Sequence, residues 1–246
     1  MRTVELNFGE PQKYFVDEAY KSLRANIQFC GTDVKAIAIT SCEPGEGKST
    51  TTMEIARSLA EAGKKVLLID ADMRRSVIVK NYVESAGICG LSQYLSGQNT
   101  LDEVLFATQV EGFHIIFAGQ FPANPVELLG SKAFGKLIEE QTKVYDYVLV
   151  DTPPLGLVID CAVVANVCDS AIIIVATDRI SYRHANAIKN QLAKSGVHIL
   201  GVVLNKVHHG QMKFFKPYYR SSYAGPYSRE TEYAKEQEKK VISKDE

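Results

Sequence analysis

The chain has 246 residues, of which 46% are hydrophobic and 23% charged, as is typical of a globular α/β domain. Its formal net charge of -1 gives no overall attraction for polyanions, and we expect no nucleic-acid partner. Five cysteines without CxxC spacing argue against a disulfide framework and indicate a reducing compartment. The first ten residues lack the apolar block of a signal peptide, and Asp160 and Asp169 interrupt the longest apolar region. We therefore expect a cytoplasmic protein.

Short β-branched runs alternate with helical patterns, which predicts βαβ units around a mostly parallel sheet. The first predicted element is an amphipathic helix over residues 16–29. The predicted strands span residues 36–40, 65–70, 113–119, 147–151, 171–177 and 199–205. The predicted helices among them span residues 49–61, 100–107, 125–142 and 182–195. Because the strands are almost continuously apolar, helices should cover both faces, as in a doubly wound α/β fold.

Composition divides the chain into three parts. Residues 1–34 are predicted to be an N-terminal segment with the amphipathic helix, 35–207 an α/β domain and 208–246 a mobile tail. The stretch 208–229 has four Lys or Arg and no acidic residue.

The tail holds five of the twelve tyrosines: Tyr218, Tyr219, Tyr223, Tyr227 and Tyr233. Disordered segments are generally poor in aromatic residues, so these side chains need an explanation. One alternative is a disordered end with incidental tyrosines, and another is a basic, aromatic patch for an anionic surface.

The sequence SCEPGEGKST, residues 41–50, follows the first predicted strand and opens a helix, which is the context of a Walker A phosphate-binding loop. Lys48 is predicted to bridge the terminal phosphates, and the Ser49 hydroxyl to bind Mg²⁺ at the helix N-terminus. Cys42 stands where the pattern has its first glycine. The predicted nucleotide-binding residues are Glu43, Pro44, Gly45, Glu46, Gly47, Lys48, Ser49 and Thr50.

Acidic residues end two other predicted strands, Asp70 and Asp72 in LLIDADMRR and Asp151 in VLVDTPP. The carboxyl ends of parallel strands line one crevice, so these carboxylates should converge on the nucleotide. If the strand persists, Asp70 and Asp72 point to the same side. We expect Asp72 and Asp151 to act through Mg²⁺ and Asp70 to lie nearest the acceptor. Asn205, after the last strand, is either an adenine-reading amide or a turn-forming residue.

Together these motifs resemble the bacterial tyrosine kinases of capsule and exopolysaccharide synthesis, in their form as a separate cytoplasmic subunit. The resemblance runs from about residue 14 to residue 227. It is carried, in the family's order, by EAYKSLRANIQF, SCEPGEGKST, LLIDADMRR, AGQFPANPVELL, VLVDTPP, GVVLNK and the tyrosine tail.

The resemblance implies a P-loop NTPase fold of the MinD/ParA-like group, with ATP and Mg²⁺ as cofactors. By residue, it implies that Lys48, Ser49 and Thr50 bind phosphates and metal, that Asp72 and Asp151 act on the metal, and that Asp70 is the candidate base. The oligomerisation element of the family, E-x-x-R-x-x-R, is present as Glu18, Lys21 and Arg24, with Lys in place of the first Arg.

The family's activity is ATP-dependent phosphorylation of tyrosine, chiefly on the tail of a neighbouring subunit. The resemblance implies a ring-like homo-oligomer that dissociates on phosphorylation. It also implies a cognate protein-tyrosine phosphatase, and a membrane-bound chain-length regulator that activates the kinase and recruits it to the inner face of the cell membrane.

Two other classes of function share the predicted architecture. A ParA- or MinD-like ATPase would hydrolyse ATP without phosphorylating tyrosine, but its loop reads GKGGVGKT, with Lys where this chain has Glu43. The third possibility is a non-enzymatic nucleotide sensor in polysaccharide export.

Overall fold

A computed structural model describes residues 2–9, 14–83 and 87–207 of the chain. The strands are β1 Arg2–Thr3, β2 Ala36–Ser41, β3 Val66–Asp70, β4 Leu105–Ala107, β5 Phe113–Ile116, β6 Tyr147–Asp151, β7 Ser170–Ala176 and β8 His198–Asn205. The helices are α1 Tyr14–Phe29, α2 Lys48–Glu61, α3 Ile78–Tyr82, α4 Leu91–Leu95, α5 Leu101–Val104, α6 Pro125–Leu129, α7 Lys132–Val144, α8 Asp160–Ala165 and α9 Tyr182–Ala193.

The eight strands form one sheet in the order β1-β4-β5-β3-β6-β2-β7-β8. All neighbouring strands are parallel except β4 and β5, which pair antiparallel. The predicted fold class is thus confirmed. Strands β3, β6 and β2 lie side by side in the centre, so the segments that follow them meet at one edge.

Alternate residues of each central strand pack on opposite faces of the sheet. In β2, Ile37 and Ile39 belong to an apolar cluster with helices α1 to α3, whereas Ala36 and Ala38 belong to a cluster with α7, α8 and α9. Both faces of the sheet are therefore covered by helices. The polar side chains that follow the central strands lie at the carboxyl edge of the sheet.

Helix α1 packs against α2, the helix that starts at the phosphate-binding loop. Ile27 is buried and Tyr20 and Leu23 pack beside it, which accounts for the apolar spacing of this segment. The described part of the chain contains no helix that is long and apolar enough to cross a membrane.

Several predicted boundaries are wrong. The predicted helix 125–142 is two helices, α6 and α7, and the second starts where Ser131 Oγ accepts a hydrogen bond from Phe134 N at 3.3 Å. The predicted helix 100–107 ends at Val104, and Leu105–Ala107 continues as the antiparallel strand β4. The predicted strand 113–119 ends at Ile116, and β1, α3, α4 and α8 were not predicted.

Candidate active site

The phosphate-binding loop, residues 41–49, joins β2 to α2 at the carboxyl edge of the sheet. Gly45 and Gly47 have φ of 76° and 88°, the left-handed conformation that glycine adopts without steric penalty. Helix α2 begins at Lys48, so its free N–H groups face the region where phosphates bind in such loops. The local sequence therefore folds as the Walker A pattern predicts.

The Glu46 side chain lies inside this loop and is fully buried. Its Oε2 accepts a hydrogen bond from Glu43 N at 2.8 Å, and its Oε1 accepts one from Ala176 N of β7 at 3.0 Å. Ser41 Oγ donates to Glu43 O at 2.9 Å. Glu46 thus holds the loop closed and ties it to the sheet, a structural role within the predicted nucleotide-binding set.

Asp151, at the end of β6, is the centre of a hydrogen-bonded cluster. Its Oδ1 lies 2.9 Å from Lys48 Nζ, and its Oδ2 accepts a hydrogen bond from Ser49 Oγ at 2.6 Å. Thr52 Oγ1 lies 3.2 Å from Oδ1, and Asp72 Oδ2 lies 3.7 Å from Lys48 Nζ. The structure therefore brings together Lys48, Ser49, Asp72 and Asp151. It adds Thr52, whose signal in the sequence was its position one helical turn after Lys48.

Asp70 and Asp72 differ in their surroundings, because β3 ends at Asp70. The chain turns there, and Asp72 N donates to Asp70 Oδ1 at 3.1 Å. Ser76 Oγ donates to Asp70 Oδ2 at 2.5 Å, so both oxygens of this fully buried carboxylate have donors. The strand does not continue to Asp72, so the condition under which the two side chains would point to the same side is not met. Ser76 was missed because its partner depends on this turn.

Burial and neighbouring charges raise the pKa values of Asp70 and Asp72. Burial, with the nearby charge of Asp151, raises the pKa of Asp70 to about 8. Burial also raises the pKa of Asp72, although Lys48 opposes the shift. For Lys48, burial disfavours the cation, but Asp151 and Asp72 outweigh it and raise the pKa. Three carboxyl groups thus share one cation, Lys48, and Asp70 keeps its proton up to about pH 8.

The same oxygen atoms fit a hard divalent cation. Within residues 2–9, 14–83 and 87–207, no three His, Cys, Asp or Glu side chains are grouped so as to hold a metal ion by themselves. Mg²⁺ usually binds through one or two carboxylates together with substrate phosphates and water. Ser49, Asp72 and Asp151 match this incomplete donor set, and their excess negative charge favours a cation there.

A second ion pair lies beside this cluster. Arg74 Nε lies 2.9 Å from Oδ2 of Asp160, which is fully buried at the start of α8. The two residues are far apart in sequence, and nothing in the local pattern pairs them. Their contact fixes the segment that follows Asp72 against the segment that follows β6.

The structure places the other predicted residues outside the carboxylate cluster. Asn205 Nδ2 donates to Glu46 O at 2.9 Å, behind the loop. Lys21 Nζ lies 2.8 Å from Asp17 and 2.9 Å from Glu18 on its own helix. Arg24 donates to Ser58 O of α2 at 2.9 Å. The tail tyrosines lie outside the described residues.

Comparison with known proteins gives consistent matches over this fold. A family model described as an AAA domain matches residues 34–200. The tyrosine-protein kinase CpsD of Streptococcus agalactiae is 43% identical over 192 residues, which cover 78% of this chain and 83% of that protein. The kinase domain of the Escherichia coli tyrosine kinase ETK is 32% identical, with a TM-score of 0.75 over 86% of this chain and 80% of that one.

The cell-division protein MinD is a weaker match. In the MinC:MinD complex of Aquifex aeolicus it is 27% identical, with a TM-score of 0.60 over 74% of this chain and 72% of that one.

Proposed function

Since the chain belongs to the bacterial tyrosine-protein kinases that include CpsD, we propose that it phosphorylates the tyrosines of its own C-terminal tail, in trans between subunits. The observation that carries this proposal is the cluster of Lys48, Ser49 and Asp151 at the mouth of the phosphate-binding loop, with Asp72 beside it. Phosphoryl transfer requires alignment and charge neutralisation more than covalent assistance. A buried lysine, backbone N–H groups and Mg²⁺ ligands supply both.

The reaction moves the terminal phosphoryl group of ATP to a tyrosine oxygen, and ADP leaves. Lys48 and the N–H groups at the start of α2 stabilise the charge on the transferring group. Mg²⁺, held by Ser49, Asp72 and Asp151, would supply further charge neutralisation at the phosphates. These residues therefore orient the donor, and another group must accept the proton of the phenol.

We assign the acceptance of that proton to Asp70. A phenol has a pKa of about 10 and an unperturbed Asp about 3.9, a gap worth roughly 8 kcal/mol. Burial and Asp151 raise the pKa of Asp70 to about 8, which narrows this gap. Asp70 accepts the proton only in its ionised form, which Mg²⁺ held by Asp72 and Asp151 would favour. Because Ser76 Oγ already donates to Asp70 Oδ2, the phenol reaches that oxygen after the serine rotates away.

The tail supplies an acceptor that suits an acidic site. Residues 208–229 have four Lys or Arg and no acidic residue, so an unmodified tail is attracted to a neighbour's carboxylates. Each phosphate adds about -1.5 to -2 charge, and successive transfers therefore make the segment anionic. A phosphorylated tail is repelled, which gives a charge-driven route from a ring-like homo-oligomer to separate subunits.

The biological setting belongs to the same proposal. We assign the protein to the control of capsular or exopolysaccharide synthesis, in the cytoplasm at the inner face of the membrane. A membrane-bound chain-length regulator would activate and recruit it, and a cognate protein-tyrosine phosphatase would reverse the modification. Sequence identity of 43% to CpsD supports this setting.

The test is to incubate the full chain with ATP and Mg²⁺, with and without the cytoplasmic segment of the candidate activator, and to map phosphotyrosine. Phosphorylation at Tyr218, Tyr219, Tyr223, Tyr227 or Tyr233 supports the proposal. Phosphate release without tyrosine modification would instead establish a MinD-like ATPase. Mixing a chain with Lys48→Met with a chain whose tail tyrosines are Phe separates transfer in trans from transfer in cis.

A further inference from the structure

The end of β8 contacts the back of the phosphate-binding loop. Asn205 Nδ2 donates to Glu46 O at 2.9 Å, and Lys206 Nζ donates to Gly45 O at 2.7 Å. Asn205 Oδ1 accepts from the backbone N of Lys206 at 2.8 Å, which fixes the orientation of the Asn205 amide. Arg179 Nη1 lies 3.4 Å from the same Gly45 oxygen. Two consecutive loop carbonyls therefore have side-chain donors that are distant in sequence.

These contacts determine where the loop N–H groups point. The described peptide bonds are all trans, and in a trans peptide the C=O and the following N–H point in opposite directions. When Gly45 O is held towards Lys206, the N–H of Glu46 points away from Lys206. When Glu46 O is held towards Asn205, the N–H of Gly47 does the same. The donors thus turn two loop amides towards the opposite, phosphate-facing side.

The side chains of Asn205 and Arg179 lie close to the loop glycines. A Cβ atom on Gly47 would lie 2.2 Å from Asn205 Nδ2, and one on Gly45 would lie 3.2 Å from Arg179 Nη1. A side chain at residue 47 would therefore displace Asn205, whereas one at residue 45 would require only a small shift of Arg179; both glycines also have a positive φ. Lys206 itself has a φ of 57°, a conformation that is unfavourable for a lysine and is held here by the surrounding contacts.

The Lys206 peptide is also anchored to β7. Thr177 Oγ1 donates to Lys206 O at 2.7 Å, and Thr177 N donates to Asn205 O at 3.0 Å. Strand β7 also carries the Ala176 amide, which binds the Glu46 side chain. The sheet therefore holds the loop through two sets of contacts, one from Ala176 and one from Asn205 and Lys206.

We propose that Asn205 and Lys206 are positioning residues for phosphate binding, which orient the loop amides through the Gly45 and Glu46 carbonyls. This role rests on the proposed nucleotide binding but differs from recognition of adenine, because it acts on phosphates whatever base they carry.

The experiment compares the affinity of the full chain for Mg·ADP and for tripolyphosphate with Mg²⁺, a probe without a base. Lys206→Met keeps the aliphatic stem and the backbone strain but removes the donor. We expect both affinities to fall by the same factor, roughly fivefold, the equivalent of one intramolecular hydrogen bond of ~1 kcal/mol. Lys206→Arg keeps a cationic donor and should retain most of the affinity. Lys189→Met, an exposed lysine on α9, is the matched control.

Further variants distinguish the positioning of loop amides from recognition of the base and from an effect of backbone strain. Lys206→Gly relieves the positive φ but lacks the donor, and it should bind as weakly as Lys206→Met. Asn205→Ala should weaken both probes in parallel, whereas loss of Mg·ADP binding alone would show that Asn205 reads the base and would overturn the proposal. Unchanged binding by Lys206→Met, with an unchanged Tm of the free protein, would overturn it too. If the unmodified chain bound neither probe, the proposed kinase function itself would fail.

Discussion

The two sides of the active site are held in different ways. On the phosphate side, residues 41–49, the loop is held by hydrogen bonds that each involve a backbone group, with partners that include the Glu46 carboxylate, Ala176 N, Asn205 and Lys206. On the acidic side, Asp70, Asp72 and Asp151 are buried close together, with Lys48 as the cation paired to two of them. Here the ligand-free state carries repulsion that a bound cation would relieve.

We infer that the phosphate side contributes mainly the geometry of ligand binding, whereas the acidic side contributes charge. Substitutions on the phosphate side should disturb ligand binding with little dependence on pH, because the contacts involve backbone groups. Substitutions on the acidic side should change stability and activity in a pH-dependent manner, because burial there raises carboxyl pKa values. Four variants test this division, from the largest expected effect to the smallest.

Lys48 belongs to both sides of the site, because it begins α2 at the loop and pairs with Asp72 and Asp151. The substitution Lys48→Met should therefore have the largest effect. It removes a cation from the transferring phosphoryl group and leaves Asp151 with one partner fewer, so tail phosphotyrosine should fall by about 10²–10³-fold. Initial rates of phosphorylation measure the loss, with Lys80→Met, an exposed lysine, as control. A loss below tenfold would show that Lys48 is not part of the transfer machinery.

Gly47→Ala should weaken nucleotide binding on the phosphate side at least about tenfold without changing its pH dependence. The new Cβ would lie 2.2 Å from Asn205 Nδ2, and the positive φ adds roughly 1–2 kcal/mol for a residue with a side chain. Gly63→Ala is a matched control, since Gly63 has a φ of 79° and nothing within 4 Å of its would-be Cβ. Titration with Mg·ADP should show a loss of at least about tenfold for Gly47→Ala only.

Pairing Gly47→Ala with Asn205→Gly removes the clash but also the donor. Partial recovery of Mg·ADP affinity in this double variant would locate the defect at the contact rather than in the loop backbone.

Asp70→Asn should separate stability from activity on the acidic side. Because the pKa of Asp70 is raised when folded, the folded state binds more protons than the unfolded state at pH 4 to 8, and ligand-free stability falls as pH rises through that window. The amide removes this loss, so the variant should be more stable at pH 8 by up to about 5 kcal/mol, the equivalent of roughly four pKa units, with little change near pH 4.

Tm measured across pH 4 to 9 without ligand tests this, with the exposed Asp33→Asn as control. The same variant should bind Mg·ADP but lose tail phosphorylation. Full phosphorylation by a nucleotide-binding Asp70→Asn protein would remove Asp70 from the role of proton acceptor.

Ser76→Ala should have the smallest effect. The hydroxyl holds Asp70 Oδ2 but moves aside for the phenol, so its loss should change the phosphorylation rate by no more than about fivefold. Ser195→Ala, which removes a hydroxyl bonded to Leu192 O, is the control for folding. A rate loss of two orders of magnitude would instead indicate that Ser76 relays the proton.

The sequence predicts which residues lie together where the signal is local. The loop glycines, Lys48 and Ser49 are contiguous, and the acidic residues follow apolar runs that pair as parallel strands. Contacts that cross the fold were not predictable, because Asn205 with Glu46 and Arg74 with Asp160 depend on the order of strands in the sheet. The break at Gly130 and Ser131 was predictable in principle, since Ser is a favoured helix cap.

The bond from Ala176 N to Glu46 makes one backbone amide a reporter of the loop. Ala176 lies at the end of a fully buried strand, and its hydrogen reaches solvent only when the Glu46 carboxylate withdraws. Its exchange with deuterium therefore measures how often the loop opens in the absence of nucleotide. The motion of the loop on the timescale of seconds to hours can thus be followed at a single backbone amide.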